Sequence, residues 1–262
     1  MLTLYEHPLS TYAMKVKIAL REKGLEFQSI IPDGMANGTA SGAFVEASPR
    51  AEVPSLIDGD TEVFDSTVIL EYLEDKWPSP ALLPASPAAR ARVRMLEDVM
   101  DTQYEANNWG TMEVLKARRA TGALAEQLVN FGRDRMAQLQ RWLDVQLGDS
   151  PWMNGANFGW GDIVTAPYVA RTTLNWGYEP ATPRIAAWLD RCRARPSVAQ
   201  TVDEMLKVFG SLPDFPTLIA DGKIKRQYRD HRLEWMIAGG GLEVVREGIE
   251  KGTIRFGRLP GA

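Results

Sequence analysis

The chain has 262 residues, of which 45% are hydrophobic and 24% are charged, and its formal net charge is −4. This length is too great for one small core and predicts two domains in an ordinary soluble globular protein. The acidic balance excludes a global basic field that would attract nucleic acid. The single cysteine, Cys192, excludes an intramolecular disulfide bond and a multi-thiolate metal site.

The chain carries no pattern typical of export or membrane insertion. No apolar run reaches the ~18 residues that a membrane-spanning helix needs. The N-terminus begins with the strand-like Leu2–Tyr5, and no basic segment followed by an apolar stretch precedes it. We therefore predict a cytoplasmic protein without a signal peptide, and we expect neither a membrane nor a nucleic acid as its partner.

The first eighty residues alternate strand and helix patterns. We predict a strand over residues 2–6, a helix over 12–23 that stops at Gly24, and a second strand over 27–31. Two more strands, 55–58 and 62–64, form a hairpin, and an amphipathic helix that ends before Trp77-Pro78 follows them. This order of elements predicts a thioredoxin-like α/β unit.

Prolines separate this unit from the rest of the chain. The stretch from Pro78 to Pro87 is rich in proline and predicts a linker over residues 79–88. Beyond it the pattern is almost entirely helical, with one long amphipathic helix from Leu124 to Leu143 and another between Pro183 and Pro196. We expect an α/β domain over 1–78, an all-α domain over 89–210 and a C-terminal extension over 211–262.

A polar turn leads into the first helix in the segment HPLSTYAMKVKIALREKG, which begins at His7. Ser10 lies just before the helix, where a serine taken alone is most simply an N-cap. Tyr5 and Tyr12 supply the neighbouring phenol groups, and packed aromatic roles fit both of them.

A second segment, RAEVPSLIDGDTEVFDSTVILEYLEDKWP, begins at Arg50. Val53-Pro54 enters a strand, and Asp65-Ser66-Thr67 opens a helix. Taken alone, the proline fits the start of an edge strand, and the D-S-T triplet is a common helix cap.

Together the two segments resemble the glutathione-binding domain of the soluble glutathione transferases. The KVKIAL helix after Ser10 is similar to that of serine-type members, EVPSL is similar to the family's V-P-x-L strand, and DST to its (E/D)-S-x motif. The segment NFGWGDIV, which begins at Asn157, resembles the G-x-x-x-S-x-A-D-I pattern of the helical domain. This pattern implies that Asp162 is a buried folding element. Gly159 replaces the usual Ser/Thr cap at little cost, and Gly161 replaces the usual alanine with a less helix-favouring residue. The family resemblance as a whole covers about residues 2–210.

The resemblance implies a role in glutathione binding or activation for several residues of the two segments. Ser10 would stabilise the glutathione thiolate, for which one hydrogen bond of about 1.5–3 kcal/mol suffices to lower a thiol pKa from about 8.5 to about 7. A cis Val53–Pro54 bond would present the backbone of Val53 to the cysteinyl part. Asp65 and Ser66 would hold the γ-glutamyl end. Tyr5 and Tyr12 stay open as alternative activators, because other classes use a tyrosine.

The electrophile pocket of this family lies between the first loop and the helices after the linker. The candidates for it are Tyr12, Tyr104, Asn108 and Trp109, with interdomain packing as an equal alternative for the last three. Cys192 lies on an apolar helical face and is predicted to be buried. The extension holds a basic stretch from Lys223 to Arg232, and we hypothesise that it folds over the pocket mouth or the dimer seam.

The resemblance implies an enzyme, a glutathione S-transferase that conjugates the glutathione thiolate to a small hydrophobic electrophile. It also implies glutathione as the co-substrate, a homodimer and no metal. A weaker resemblance to lignin β-etherases leaves β-ether cleavage, dehalogenation or isomerisation of aromatic substrates as alternatives. A non-catalytic binding protein that kept the fold is a further alternative.

Overall fold

The structure is a computed structural model that describes residues 1–225, 233, 236 and 239–253. Arg226, Arg229 and Arg232 of the predicted basic stretch lie outside these residues. Within the described part of the chain, no helix has both the length and the apolar character needed to cross a membrane.

A mixed sheet with the strand order β2-β1-β3-β4 organises the N-terminal domain of the described chain. Its strands are β1 (Leu2–Tyr5), β2 (Phe27–Ile30), β3 (Ser55–Asp58) and β4 (Thr61–Phe64), and its helices are α1 (Thr11–Glu22), α2 (Ala43–Ala47) and α3 (Ser66–Lys76). β1 runs parallel to β2, whereas β3 is antiparallel to both β1 and β4. This confirms the thioredoxin-like prediction, and the predicted elements end within one residue of those observed.

The regular secondary structure in the rest of the described chain is helical, apart from one isolated bridge between Trp152 and Gly155. The helices are α4 (Pro87–Val99), α5 (Glu105–Leu115), α6 (Gly122–Leu147), α7 (Trp160–Ile163), α8 (Ala166–Trp176), α9 (Pro183–Arg193), α10 (Pro196–Gly210), α11 (Phe215–Ala220) and α12 (Leu242–Glu250). A π-helical turn, Met100–Tyr104, joins α4 to α5. The predicted long helix is α6, but its first half leaves Leu124, Leu128 and Phe131 exposed.

The helix α1 lies between the two domains and is buried over most of its length. It packs against α3 on the side of the sheet and against α8 and α10 of the helical domain. Lys15 and Lys17 are therefore buried, although lysine usually faces solvent. Their ammonium groups are paired with carboxylates of Glu97 and Glu6, respectively.

Asp162 stabilises the start of α7, as the sequence predicts. Its buried carboxylate accepts hydrogen bonds from the backbone N–H of Met153 at 2.8 Å and from Nε1 of Trp188 at 2.8 Å. Glycine is required at positions 159 and 161 for a steric reason that the sequence does not reveal. A Cβ atom at residue 159 would overlap the carbonyl oxygen of Leu82, and one at 161 would overlap the backbone of Met153.

Cys192 is fully buried in α9, and burial raises the pKa of its thiol well above the usual value. A thiol in this state is unreactive, because the thiolate is the nucleophilic form. The predicted structural role of Cys192 is therefore confirmed.

Candidate active site

The sheet register brings the predicted site segments to one edge. Tyr5, at the end of β1, pairs with Ser55 at the start of β3, and Ser55 pairs with Phe64 at the end of β4. The connections after β1, before β3 and after β4 therefore leave the sheet side by side. These connections carry Ser10, Val53-Pro54 and Asp65-Ser66.

Ser10 closes the turn that follows β1 and caps α1. Its backbone N–H donates to the carbonyl oxygen of His7 at 2.8 Å, and its hydroxyl oxygen accepts the N–H of Ala13 at 3.3 Å. A hydroxyl that accepts at a cap keeps its own proton for another acceptor. Capping and donation to a thiolate are thus compatible at this half-buried side chain.

The loop before Ser10 is held from two sides. Nδ1 of His7 accepts the N–H of Leu9 at 3.2 Å, and burial lowers the pKa of His7 below its usual value, which favours the neutral ring. From the helical domain, Nη1 of Arg171 donates to the carbonyl oxygen of Leu9 at 3.3 Å. The loop therefore has a fixed path relative to both domains.

Val53 and Pro54 occupy the position before β3 that the motif predicted. The peptide bond between them is cis. Val53 is buried, and it lies two residues before Ser55, the first paired residue of β3. The bend at Val53 thus leads directly into β3 at the site edge.

Asp65 shapes the start of α3. Its φ angle is 75°, a left-handed conformation that costs a non-glycine residue of the order of 1–3 kcal/mol and is concentrated at functional sites. Its Oδ1 atom accepts the N–H groups of Thr67 at 3.0 Å and Val68 at 3.4 Å, while Oδ2 faces Arg50. These bonds leave the N–H of buried Ser66 outside the cap, at the positive end of the helix.

A cavity of about 390 Å³ opens near the same end of β1 and β2. It is lined by Tyr5, Ile30, Ile31, Pro32, Asp33, Gly34, Thr39, Ser41, Ala43 and Phe44. The ring of Tyr5 packs against that of Phe44, with 5.3 Å between the ring centroids. The C-terminal extension returns to this region, because the N–H of Lys225 donates to the carbonyl oxygen of Ala36 at 2.8 Å.

Comparisons with known proteins decide the family. Residues 4–81 match the N-terminal domain of glutathione S-transferases, and residues 87–191 match their C-terminal domain. The chain belongs to the glutathione S-transferase family. It is therefore a transferase with the two-domain architecture of that family.

Individual relatives are similar over most of this transferase. Glutathione S-transferase U28 of Arabidopsis thaliana is 30% identical over 207 residues, which cover 76% of this chain and 88% of that protein. The stringent starvation protein A homolog of Coxiella burnetii is 33% identical over 170 residues, 65% of this chain and 75% of that protein. Rice GST1, solved in complex with glutathione, is 28% identical with a TM-score of 0.67, over 80% of this chain and 95% of that one.

The candidate pocket residues of this transferase do not share one surface. Tyr104 and Asn108 are fully buried in the helical domain, where Tyr104 bonds Gln140 at 2.9 Å and Asn108 bonds Trp176 at 3.0 Å. Burial raises the pKa of Tyr104 to about 12. These positions favour packing, the alternative that the sequence left open.

Tyr12 and Trp109 lie nearer to solvent. The hydroxyl of Tyr12 donates to the carbonyl oxygen of Asp101 at 2.7 Å, and its ring meets Tyr168 edge-on. Trp109, in α5, keeps 38% of its surface exposed. Trp109 is thus the candidate with the most surface available to a ligand.

Sequence reasoning missed a buried ion network behind the site. Nζ of Lys15 lies 2.6 Å from Oε1 of Glu97 and 2.5 Å from Oδ2 of Asp101. Burial works against the charged lysine, but the two carboxylates outweigh it and raise the pKa of Lys15. No local signal reveals this network, because Lys15 lies more than eighty residues from both carboxylates.

The described residues contain no group of three or more His, Cys, Asp or Glu side chains placed to hold a metal ion. The groups that meet at the sheet edge are hydroxyl groups, backbone groups and helix N-termini.

Proposed function

We propose that this transferase binds glutathione at the sheet edge that carries Ser10 and Ser66, and that the bound thiolate attacks a small hydrophobic electrophile. The observation that carries the proposal is the register that places the connections after β1, before β3 and after β4 side by side. The glutathione-bound rice relative supports the same ligand for this chain.

Ser10 is the proposed activator of the thiol. Its hydroxyl is held at the start of α1 by the N–H of Ala13, so its proton can be donated to the sulfur. A hydrogen bond to a charged acceptor contributes about 1.5–3 kcal/mol, and the helix N-terminus adds about 0.3–1 kcal/mol. Together these terms are enough to bring the thiol pKa from about 8.5 to about 7.

The remaining contacts hold the tripeptide. The backbone of Val53, two residues before β3, can pair with the cysteinyl residue as an added strand would. The N–H and hydroxyl groups of Ser66 can bind the γ-glutamyl carboxylate at the N-terminus of α3. Asp65 can balance the ammonium group of the same residue.

The electrophile is proposed to enter between the Ser10 loop and α5, where Trp109 keeps exposed surface. Displacement or addition by the thiolate gives a thioether product. β-Ether cleavage, dehalogenation and isomerisation begin from the same thiolate, so they are alternatives at the second substrate. A panel of aryl halides, β-aryl ethers and unsaturated carbonyl compounds distinguishes them.

A homodimer is also part of the proposal. Phe64, Val68 and Met95 are apolar residues with 37%, 53% and 59% of their surface exposed. They lie on β4, α3 and α4, and the pairing of Arg94 with Glu71 shows that α3 and α4 are adjacent. An exposed apolar surface of this kind supports association with a second copy. Light scattering of the purified protein measures the assembly directly.

The decisive experiment is an ultraviolet difference titration of bound glutathione against pH. We expect a thiolate signal with a midpoint near pH 7 in the wild type, and a higher midpoint in Ser10→Ala. Ser86→Ala is the matched control, because Ser86 caps α4 through Ala89 at 3.2 Å just as Ser10 caps α1. An unchanged midpoint in Ser10→Ala would move the activating role to Tyr5 or Tyr12, and absence of binding in the wild type would refute the proposal.

A further inference from the structure

The buried carboxylate of Glu97 joins the two helices whose N-termini form the candidate site. Its Oε1 atom accepts Nζ of Lys15, in α1, at 2.6 Å and the hydroxyl of Thr67, in α3, at 2.8 Å. Its Oε2 atom accepts Nε1 of Trp160, in α7, at 2.7 Å. Glu97 itself belongs to α4, so this one side chain connects both domains.

The contacts of Glu97 lie near the N-termini of α1 and α3, close to Ser10 and Ser66. Lys15 lies five residues after Ser10, about one and a half turns into α1. Thr67 directly follows Ser66 at the start of α3. Glu97 therefore contacts α1 within two turns of Ser10 and α3 at the residue next to Ser66.

A second carboxylate reinforces the same connection. Asp101 accepts Nζ of Lys15 at 2.5 Å, and its backbone carbonyl accepts the hydroxyl of Tyr12 at 2.7 Å. Asp101 lies in the π-helical turn, where the N–H of Glu105 bonds back to Met100. Single π-helical turns are rare and are frequently found at functional sites.

Stability alone explains this cluster poorly. The side chains of Lys15 and Glu97 are 0% and 3% exposed. Desolvation of such charges offsets most of their attraction, and a well-packed apolar cluster often stabilises a fold equally well. Charged and hydroxyl groups instead fix one geometry, because each needs a partner in a defined direction.

We propose that Glu97, together with Lys15 and Thr67, is a positioning cluster that sets the separation between Ser10 and Ser66. This inference rests on the proposed function, since these two residues hold the thiol and the γ-glutamyl end of glutathione there. The cluster does not touch glutathione. It acts by holding the start of α1 and the start of α3 at the distance that separates the thiol of glutathione from its γ-glutamyl carboxylate.

Thr67→Val tests the proposal with little change in shape. It removes the hydroxyl that bonds Glu97, so α3 loses its tie to the cluster while its cap at Asp65 remains. We expect the Kd for glutathione to rise about 10- to 100-fold, the range that corresponds to the loss of one hydrogen bond to a charged group. We also expect a higher pKa of the bound thiol, because Ser10 and the sulfur no longer meet in the same geometry. Thr67→Ser, which keeps the hydroxyl, should restore both values.

Thr182→Val is the matched control for a purely structural effect. The hydroxyl of Thr182 donates to Oδ1 of Asp144 at 2.8 Å, the same kind of bond at the same length, at the start of α9. Both variants should unfold at a lower temperature than the wild type, whereas glutathione affinity should fall in Thr67→Val alone. Isothermal titration calorimetry and thermal unfolding give the two readouts.

The outcomes separate the two proposals. A wild type that does not bind glutathione would refute the proposed function. A wild type that binds, together with a folded Thr67→Val variant of equal affinity and equal thiol pKa, would overturn the positioning role. Glu97→Gln gives a second test, because it removes the charge that pairs with Lys15; unchanged affinity in that folded variant would also overturn it.

Discussion

Arg171 donates a hydrogen bond to the carbonyl oxygen of Leu9 at 3.3 Å, so the helical domain directly contacts the loop that carries Ser10. The same guanidinium lies 3.2 Å from Oε1 of Glu105, whose Oε2 accepts the hydroxyl of Thr11 at 2.9 Å. Thr11 is the first residue of α1. The position of Ser10 therefore depends on contacts that both domains supply.

Arg171→Met should impair both stability and catalysis. The substitution leaves Glu105 buried without its guanidinium, and breaking a buried ion pair costs about 3–5 kcal/mol. The Ser10 loop also loses a support, so we expect kcat/KM to fall about 10- to 100-fold through misplacement of the hydroxyl. Urea unfolding and steady-state kinetics measure the two effects.

Lys23→Met provides the comparison for Arg171→Met. Lys23 pairs with Glu74 at 2.8 Å at the far end of α1, and its side chain is also buried. Lys23→Met should reduce the free energy of unfolding and leave kcat/KM unchanged. Equal kinetic losses in the two variants would show that Arg171 acts through general stability.

His7 should make the site loop sensitive to acid. Burial lowers the pKa of folded His7 below the ordinary 6.5, so between the two pKa values the unfolded chain binds more protons than the folded chain. Its contribution to stability is therefore present above about pH 6.5 and is lost as the pH falls toward the folded pKa. Protonation also removes the Nδ1 acceptor of the Leu9 N–H.

His7→Asn tests this pH dependence, because an asparagine oxygen can accept the N–H two residues on and does not titrate in this range. Unfolding of wild type and variant should be measured from pH 7.5 to 5.5. The wild type should lose more stability than the variant over this interval. If the free energy of unfolding depends on pH in the same way in both proteins, protonation of His7 is not coupled to unfolding.

Gly161→Ala should destabilise the fold, although alanine is the better helix former and is the residue that the family pattern places there. The added Cβ would lie 2.9 Å from the backbone carbon of Met153, and overpacking of this kind costs about 1–3 kcal/mol. Gly110→Ala is the control, since Gly110 is a helical residue with open space around it and should gain about 1 kcal/mol. A higher free energy of unfolding in Gly161→Ala than in the wild type would contradict the close approach of residue 161 to the backbone of Met153.

Local patterns were enough to predict the sheet, its order of elements and the segments of Ser10, Val53 and Asp65. Strand alternation, turns and helix caps act between neighbouring residues, so the sequence displays them directly. The supports of the site are different. Arg171 lies 162 residues from Leu9, and Lys15 lies 82 residues from Glu97. A buried lysine has the same sequence signal as a solvated one until its carboxylate partner is located.

Removal of the extension should loosen the turn that borders the cavity beside Tyr5. The N–H of Lys225 donates to the carbonyl oxygen of Ala36 at 2.8 Å, a contact that a chain ending at Gly210 lacks. We expect faster hydrogen exchange over residues 34–41 in the truncated protein, because a tethered turn opens less often. We also expect a higher KM for glutathione, since this turn lies at the end of β2 beside the proposed site.

A single substitution separates this contact from the other effects of truncation. Lys225→Pro removes the N–H donor, whereas Lys225→Ala keeps it and removes the charge. The proline variant should reproduce the faster exchange over residues 34–41, and the alanine variant should behave like the wild type. If truncation changes neither the exchange of these residues nor the KM, the extension has no role at the cavity, and its contact with Ala36 serves chain packing alone.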